Sequence, residues 1–216
     1  MHLYVYLSFN LSILLVGLIS VIRFKTMSKA YYPFIYRTWA GCANELLSVI
    51  LVLNSFHTIS NSNIYVLFES VLLTWFFKRM GLLGTGNKIF SAIVLFLSMV
   101  WLIEITQFTG LYKVATIFRI VYSLLVVMMS ITLINKLFFS SRNSLNKNAA
   151  FLLSITFIIY FTAKAVVQAF TIYGIDRQSE FLRNIYIIMI YLNLIVNLLH
   201  IIVVLWIPRK LKFSLQ

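Results

Sequence analysis

"IYFTAKAVVQAF" (residues 159–170) sets a lysine and a glutamine inside a run that otherwise suits hydrocarbon. No acidic residue follows Lys164 until Asp176, and the apolar stretch that holds it runs from about 150 to 173. A helix needs ~20 predominantly apolar residues to cross a bilayer, so this stretch reads as a membrane span with an ammonium inside it. The rest of the chain has the same character. Of its 216 residues, 62% are hydrophobic and 11% charged, with a mean hydropathy of +0.96. Soluble domains carry about a quarter charged residues, because their surface is wetted. The solvent for most of this surface is therefore hydrocarbon.

Six more stretches are long enough to span, near 3–22, 33–56, 63–83, 88–108, 112–135 and 185–207. The expected fold is an all-α membrane protein, a seven-transmembrane-helix bundle forming a single domain over 1–216. Pro33 suits the first turn of the second span and Pro208 stops the last. The first span does not read as a cleavable signal peptide, because its positive charges follow the apolar run. Cys42, the single cysteine, reads as a small packing residue.

Charge sets the orientation. Arg23, Lys25 and Lys29 flank the first connection, Lys78, Arg79 and Lys88 the third, and Lys136, Arg142 and Lys147 the fifth. With Arg209, Lys210 and Lys212 after the last span, that makes twelve basic residues on one side and no acids. The other side has Lys113, Arg177 and Arg183 against Asp176 and Glu180. The positive-inside rule then places the N-terminus outside and the C-terminus in the cytoplasm, in a cell inner membrane crossed several times. The formal charge of +13 is thereby a matter of topology, with some attraction for anionic lipid, and no nucleic acid is called for.

Six ionisable residues remain inside the spans: Arg37, Glu45, Glu69, Glu104, Arg119 and Lys164, which sum to zero. Each costs roughly 2.5–3.5 kcal/mol at mid-bilayer if it faces lipid, so they should face one another or a wet cavity. By distance along the helices, Glu69, Arg119, Lys164 and Glu104 fall in the outer half, with Gln168 one turn outward of Lys164. Glu45 falls near the midplane and Arg37 near the cytoplasmic end. Glu69 is the expected partner of Lys164.

Polar residues recur at helical spacing. Tyr186, Asn193, Asn197 and His200 share a face of the seventh span, Arg119 and Ser123 a face of the fifth, and Arg37, Asn44 and Ser48 a face of the second. The expected arrangement is a bundle with these stripes inward and a polar core widest toward the outside. Asn, Ser and Thr in such stripes are also ordinary interhelical glue, and the ionisable cluster reads either as a pocket or as a closed salt-bridge network that fixes helix register.

Specific chemistries fit poorly. A retinal pigment needs a lysine on the seventh span, which has none. His2 and His57 fall at the outer edge while His200 is some 20 Å away toward the cytoplasm, so no metal site is expected. "GLLGTGN" (81–87) lacks the lysine and hydroxyl residue of a phosphate loop and reads as a turn. No cofactor is expected.

"YVLFESVLLTWFF" (65–77), with its Tyr-x-x-x-Glu entry, and "NLIVNLLHIIVVLWIPRK" (193–210), with its asparagines and Trp-Ile-Pro-Arg-Lys end, carry a resemblance. These stretches resemble segments of small uncharacterised bacterial seven-helix integral membrane proteins. The resemblance implies an inner-membrane protein and singles out Glu69, Asn193 and Asn197. It implies no catalytic residue.

The leading expectation is a receptor-like sensor or regulator in the lipid bilayer. Its outward-facing pocket of Glu69, Arg119, Lys164 and Gln168, with Glu104 at the rim, would take a small zwitterionic or anionic ligand. It would act through a cytoplasmic or membrane signalling partner. The rival expectation is a solute transporter or a proton- or ion-coupled channel, with a path continued inward by Glu45, Asn193, Asn197 and His200. An intramembrane enzyme ranks last, since no nucleophile and base align.

Overall fold

Seven α-helices follow one another in the computed structural model, which describes residues 12–140, 148–172 and 180–209. They are α1 (Ile13–Arg23), α2 (Tyr32–Leu53), α3 (Ile59–Arg79), α4 (Lys88–Ile103), α5 (Thr116–Ser140), α6 (Ala149–Ile172) and α7 (Glu180–Trp206). No strand occurs among the described residues; one isolated bridge pairs Met27 with Arg209. Each helix falls on one of the apolar stretches, and Pro33 opens α2 as its missing N–H allows.

Four helical stretches are long and apolar enough to cross a membrane, at Lys88–Thr109, Thr116–Phe139, Ala149–Ile172 and Ile187–Trp206. The protein is membrane-embedded. α2 and α3 have the length, 22 and 21 residues, but their interiors carry Arg37, Asn44 and Glu45, and Asn61, Asn63 and Glu69. Those residues lower the hydropathy of the two helices that furnish Arg37 and Glu69 to the polar core.

Two boundaries differ from the sequence reading. α3 starts at Ile59, four residues before the expected 63, which moves Glu69 to mid-helix. α5 starts at Thr116 instead of 112, because residues before it are tied down as a connection. Asn63 does the tying: its Nδ2 donates to Lys113 O at 2.8 Å and its Oδ1 accepts from the Ala115 N–H at 3.2 Å. α4 runs on into a wider π turn, Glu104–Thr109, ended by Gly110 at φ 63°.

The helices close into a ring. α1 packs on α2, α2 on α3, α3 on α4 and α5, α5 on α6, α6 on α7, and α7 returns to α1. Near one end Arg23 donates from Nη1 to Val204 O at 2.7 Å and also to Leu205 O, capping the last carbonyls of α7. Lys136 does the same for α3, reaching Gly81 O at 2.6 Å. Phe24, Tyr32, Tyr36, Trp39 and Trp75 stack at this end, with centroids from 4.6 to 6.1 Å apart. Such aromatic layers sit at the headgroup level of a bilayer.

Candidate functional site

Glu69 of α3 is 1% exposed and is the hub of the polar interior. Its Oε1 accepts from Arg37 Nε at 3.0 Å, from Arg37 Nη2 at 2.6 Å and from the Tyr65 hydroxyl at 3.2 Å. Its Oε2 accepts from Lys164 Nζ at 3.3 Å. Tyr65 lies one turn before Glu69 on the same helix face, so the sequence spacing itself delivers that hydroxyl. Arg37 comes from α2 and Lys164 from α6, which makes the triad a clasp across three helices.

The long contact leaves Lys164 incompletely satisfied by charge. Aromatic faces supply the rest: its ammonium lies 5.2 Å from the ring centre of Phe161 and 5.7 Å from those of Tyr122 and Tyr160. Cation–π attraction strengthens where the cation is desolvated, and here the Lys164 side chain is only 11% exposed.

Beside the triad is a cavity of about 70 Å³. One water needs about 10–15 Å³ on the same measure, so the space admits several waters or a small solute. Arg37, Glu45, Tyr65, Glu69, Tyr160, Lys164, Asn193, Asn197 and His200 line it, with Ile13, Gly41 and Val196 as the apolar wall. Gly41 keeps it open: a Cβ there would meet Ile13 Cδ1 at 2.7 Å and the Tyr65 hydroxyl at 3.1 Å. His200 is 2% exposed and its Nε2 has no hydrogen-bond partner among the described residues. Its ring meets Phe34 edge-on at 5.2 Å and Phe157 at 6.0 Å, so aromatic packing closes that side.

The formal charge of the triad is +1, and Glu45 on the same lining brings it to zero. Donors outnumber acceptors locally. Arg37 uses Nε and Nη2 on Glu69, and Lys164 uses one of its three N–H groups there.

The remaining expected site residues lie elsewhere. Glu104 does not line the cavity. Its carboxylate accepts from the Ile117 N–H at 2.9 Å and the Phe118 N–H at 2.6 Å, which caps the N-terminus of α5. Arg119, one turn into α5, donates to Ser62 Oγ at 2.8 Å and Asn63 Oδ1 at 3.3 Å, tying α5 to the start of α3. Arg37, placed by sequence at the cytoplasmic end, instead reaches the middle of α3: its long side chain covers the difference in helix height.

Gln168 is apart from the cavity lining, and its buried Oε1 has no hydrogen-bond partner among the described residues. The same holds for Ser123 Oγ, which is fully buried on α5. Asn44 and Ser48 accept from Asn61 Nδ2 at 3.0 and 3.2 Å, a polar seam between α2 and α3. Asn197 donates to Ser12 Oγ at 2.8 Å, holding α7 to the start of α1. The Tyr186 side chain and all of His2 lie outside the described residues. His57 is exposed between α2 and α3.

Residues missed from sequence are Tyr65, Tyr160, Gly41 and Asn63. The two tyrosines carried a signal, since each stands four residues before a buried charge, Glu69 or Lys164. Gly41 and Asn63 carried none, because a close helix approach and a loop anchor are tertiary facts. Among the described residues no three His, Cys, Asp or Glu side chains converge as a metal site. No protein family, curated protein or solved structure matches the chain.

Proposed function

We propose that this is a sensor or regulatory protein of the membrane that takes a small zwitterionic or anionic solute into the cavity beside Glu69. The observation that carries the reading is a space for a small solute lined by Arg37, Lys164 and His200, whose Nε2 has no hydrogen-bond partner among the described residues, with one carboxylate shared between the two cations. A bound carboxylate competes with Glu69 for Lys164 at the long 3.3 Å contact, and that contact joins α3 to α6. Binding is thus coupled to the packing of two helices, which is the physical requirement for a switch.

The reading includes seven spans with the N-terminus outside, in a bacterial inner membrane. The signal passes to a cytoplasmic or membrane partner through the basic connections. No catalytic role is part of it. In purified protein, a solute that binds the wild type should lose binding in Lys164→Ala. Undiminished binding by that variant removes Lys164 from the site and with it the proposal.

Transport is the second reading, favoured by Asn193, Asn197 and His200 lying along the same cavity on α7. The edge-on closure of His200 by Phe34 and Phe157 argues for a binding pocket over a conducting path. Proteoliposome flux separates the two. A sensor shows none, whereas a transporter shows flux that is lost in Glu69→Gln.

A further inference from the structure

A second recess lies at the end of α3, away from the cavity, where Trp75, Lys78, Arg79, Gly81, Gly84 and Thr85 enclose about 520 Å³ open to the surroundings. We propose that it binds the phosphate group of an anionic phospholipid. Four observations converge on that ligand.

The first is the aromatic layer. Trp75 packs on Tyr36, which packs on Trp39, and such Trp and Tyr clusters favour the level at which headgroups meet acyl chains. The second is uncompensated charge. No Asp or Glu occurs between Glu69 and Glu104, so the cations here have no acidic neighbour in their own stretch of sequence. Neither forms an ion pair among the described residues.

The third is that these cations are held in place by neutral groups. Arg79 lies 5.7 Å from the Trp75 ring centre, and Lys78 lies 4.9 Å from that of Phe90 while donating to Asn87 Oδ1. A guanidinium on an aromatic face keeps its in-plane N–H groups for an anion, and its fork suits a phosphate. Lys136 adds a third positive charge next to the recess, where its ammonium donates to Gly81 O at 2.6 Å.

The fourth is the turn itself. Gly81 and Gly84 have φ of 73° and 70°, and a Cβ at Gly84 would meet nothing within 4 Å. Among the described residues the N–H groups of Gly84 and Thr85, both on the recess lining, donate to no protein acceptor. Exposed N–H groups on a glycine-rich turn form an anion-receiving concavity. The stretch that fails as a nucleotide loop thus keeps unspent backbone N–H groups beside the basic side chains.

The test uses the full chain in phosphatidylcholine nanodiscs with and without phosphatidylglycerol, reading retained lipid by native mass spectrometry. The wild type should retain one phosphatidylglycerol per chain and melt at a higher temperature in its presence. K78Q/R79Q should bind it about thirtyfold more weakly, since each basic side chain near an anionic surface contributes about 1 kcal/mol. K25Q/K29Q, exposed and outside the recess, should retain it as the wild type does. Equal loss in the two double variants overturns the site in favour of diffuse attraction, and so does absence of retention by the wild type. Release by millimolar inorganic phosphate would reassign the recess to a soluble anion and overturn the lipid. If K78Q/R79Q does not fold, Arg79→Glu carries the same comparison.

Discussion

The buried charges divide into two neutral groups that look alike in sequence and behave differently in the fold. Arg37, Lys164 and Glu69 pair side chain to side chain beside a cavity that Glu45 also lines. Glu104 and Arg119 are also opposite charges near one another in the chain, yet each is spent on stitching: one on backbone N–H groups of α5, the other on Ser62 and Asn63. An acid that faces the start of a neighbouring helix is stabilised by the peptide dipoles there and needs no cation. An acid at mid-helix has no such donors, because every N–H there is already committed. What each charge faces, not its residue type, separates the two groups.

That contrast is open to direct attack. The largest effect should come from Glu69→Ala, which leaves two buried cations facing each other. A loss of about 3–5 kcal/mol is expected from unfolding titrations in detergent. A loss below about 1 kcal/mol would mean that the triad is solvated and no clasp.

Next is Glu104→Ala, which removes a charged cap and should cost about 1–2 kcal/mol while leaving solute binding intact. A change in solute binding would join the two groups and dissolve the distinction. Arg119→Gln keeps hydrogen-bonding capacity toward Ser62 and Asn63, so a cost of about 1 kcal/mol is expected, again with binding unchanged. Smallest in stability is Gly41→Ala, whose new methyl presses on the mobile tip of Ile13 and on the Tyr65 hydroxyl. It should move the unfolding midpoint little yet weaken solute binding about tenfold, because it intrudes on the cavity wall. Equal binding by Gly41→Ala and wild type would place the solute elsewhere.

Membrane class, the run of helices and the pairing of Lys164 with Glu69 were legible in the residues. Composition and apolar run length are one-dimensional quantities, and a charge in hydrocarbon has few ways to be satisfied. The site's third corner was not legible. Sequence position gives the depth of the Arg37 Cα alone, whereas a guanidinium reaches well over one helical turn, and α3 begins earlier than its hydropathy suggests. Glu104 and Arg119 look like pocket residues in sequence because a charge count cannot tell a carboxylate that meets a cation from one that meets a helix terminus. Asn63 orders the connection before α5 through three backbone partners, and nothing local in its sequence marks it.

The most direct test of the cavity as a solute site is isothermal titration of the purified chain with acetate and with glycine, one anionic and one zwitterionic probe small enough for about 70 Å³. The account predicts saturable binding of at least one by the wild type and by Arg119→Gln, and none by Lys164→Met. Saturable binding that survives Lys164→Met, or failure of both probes to bind the wild type, would contradict it.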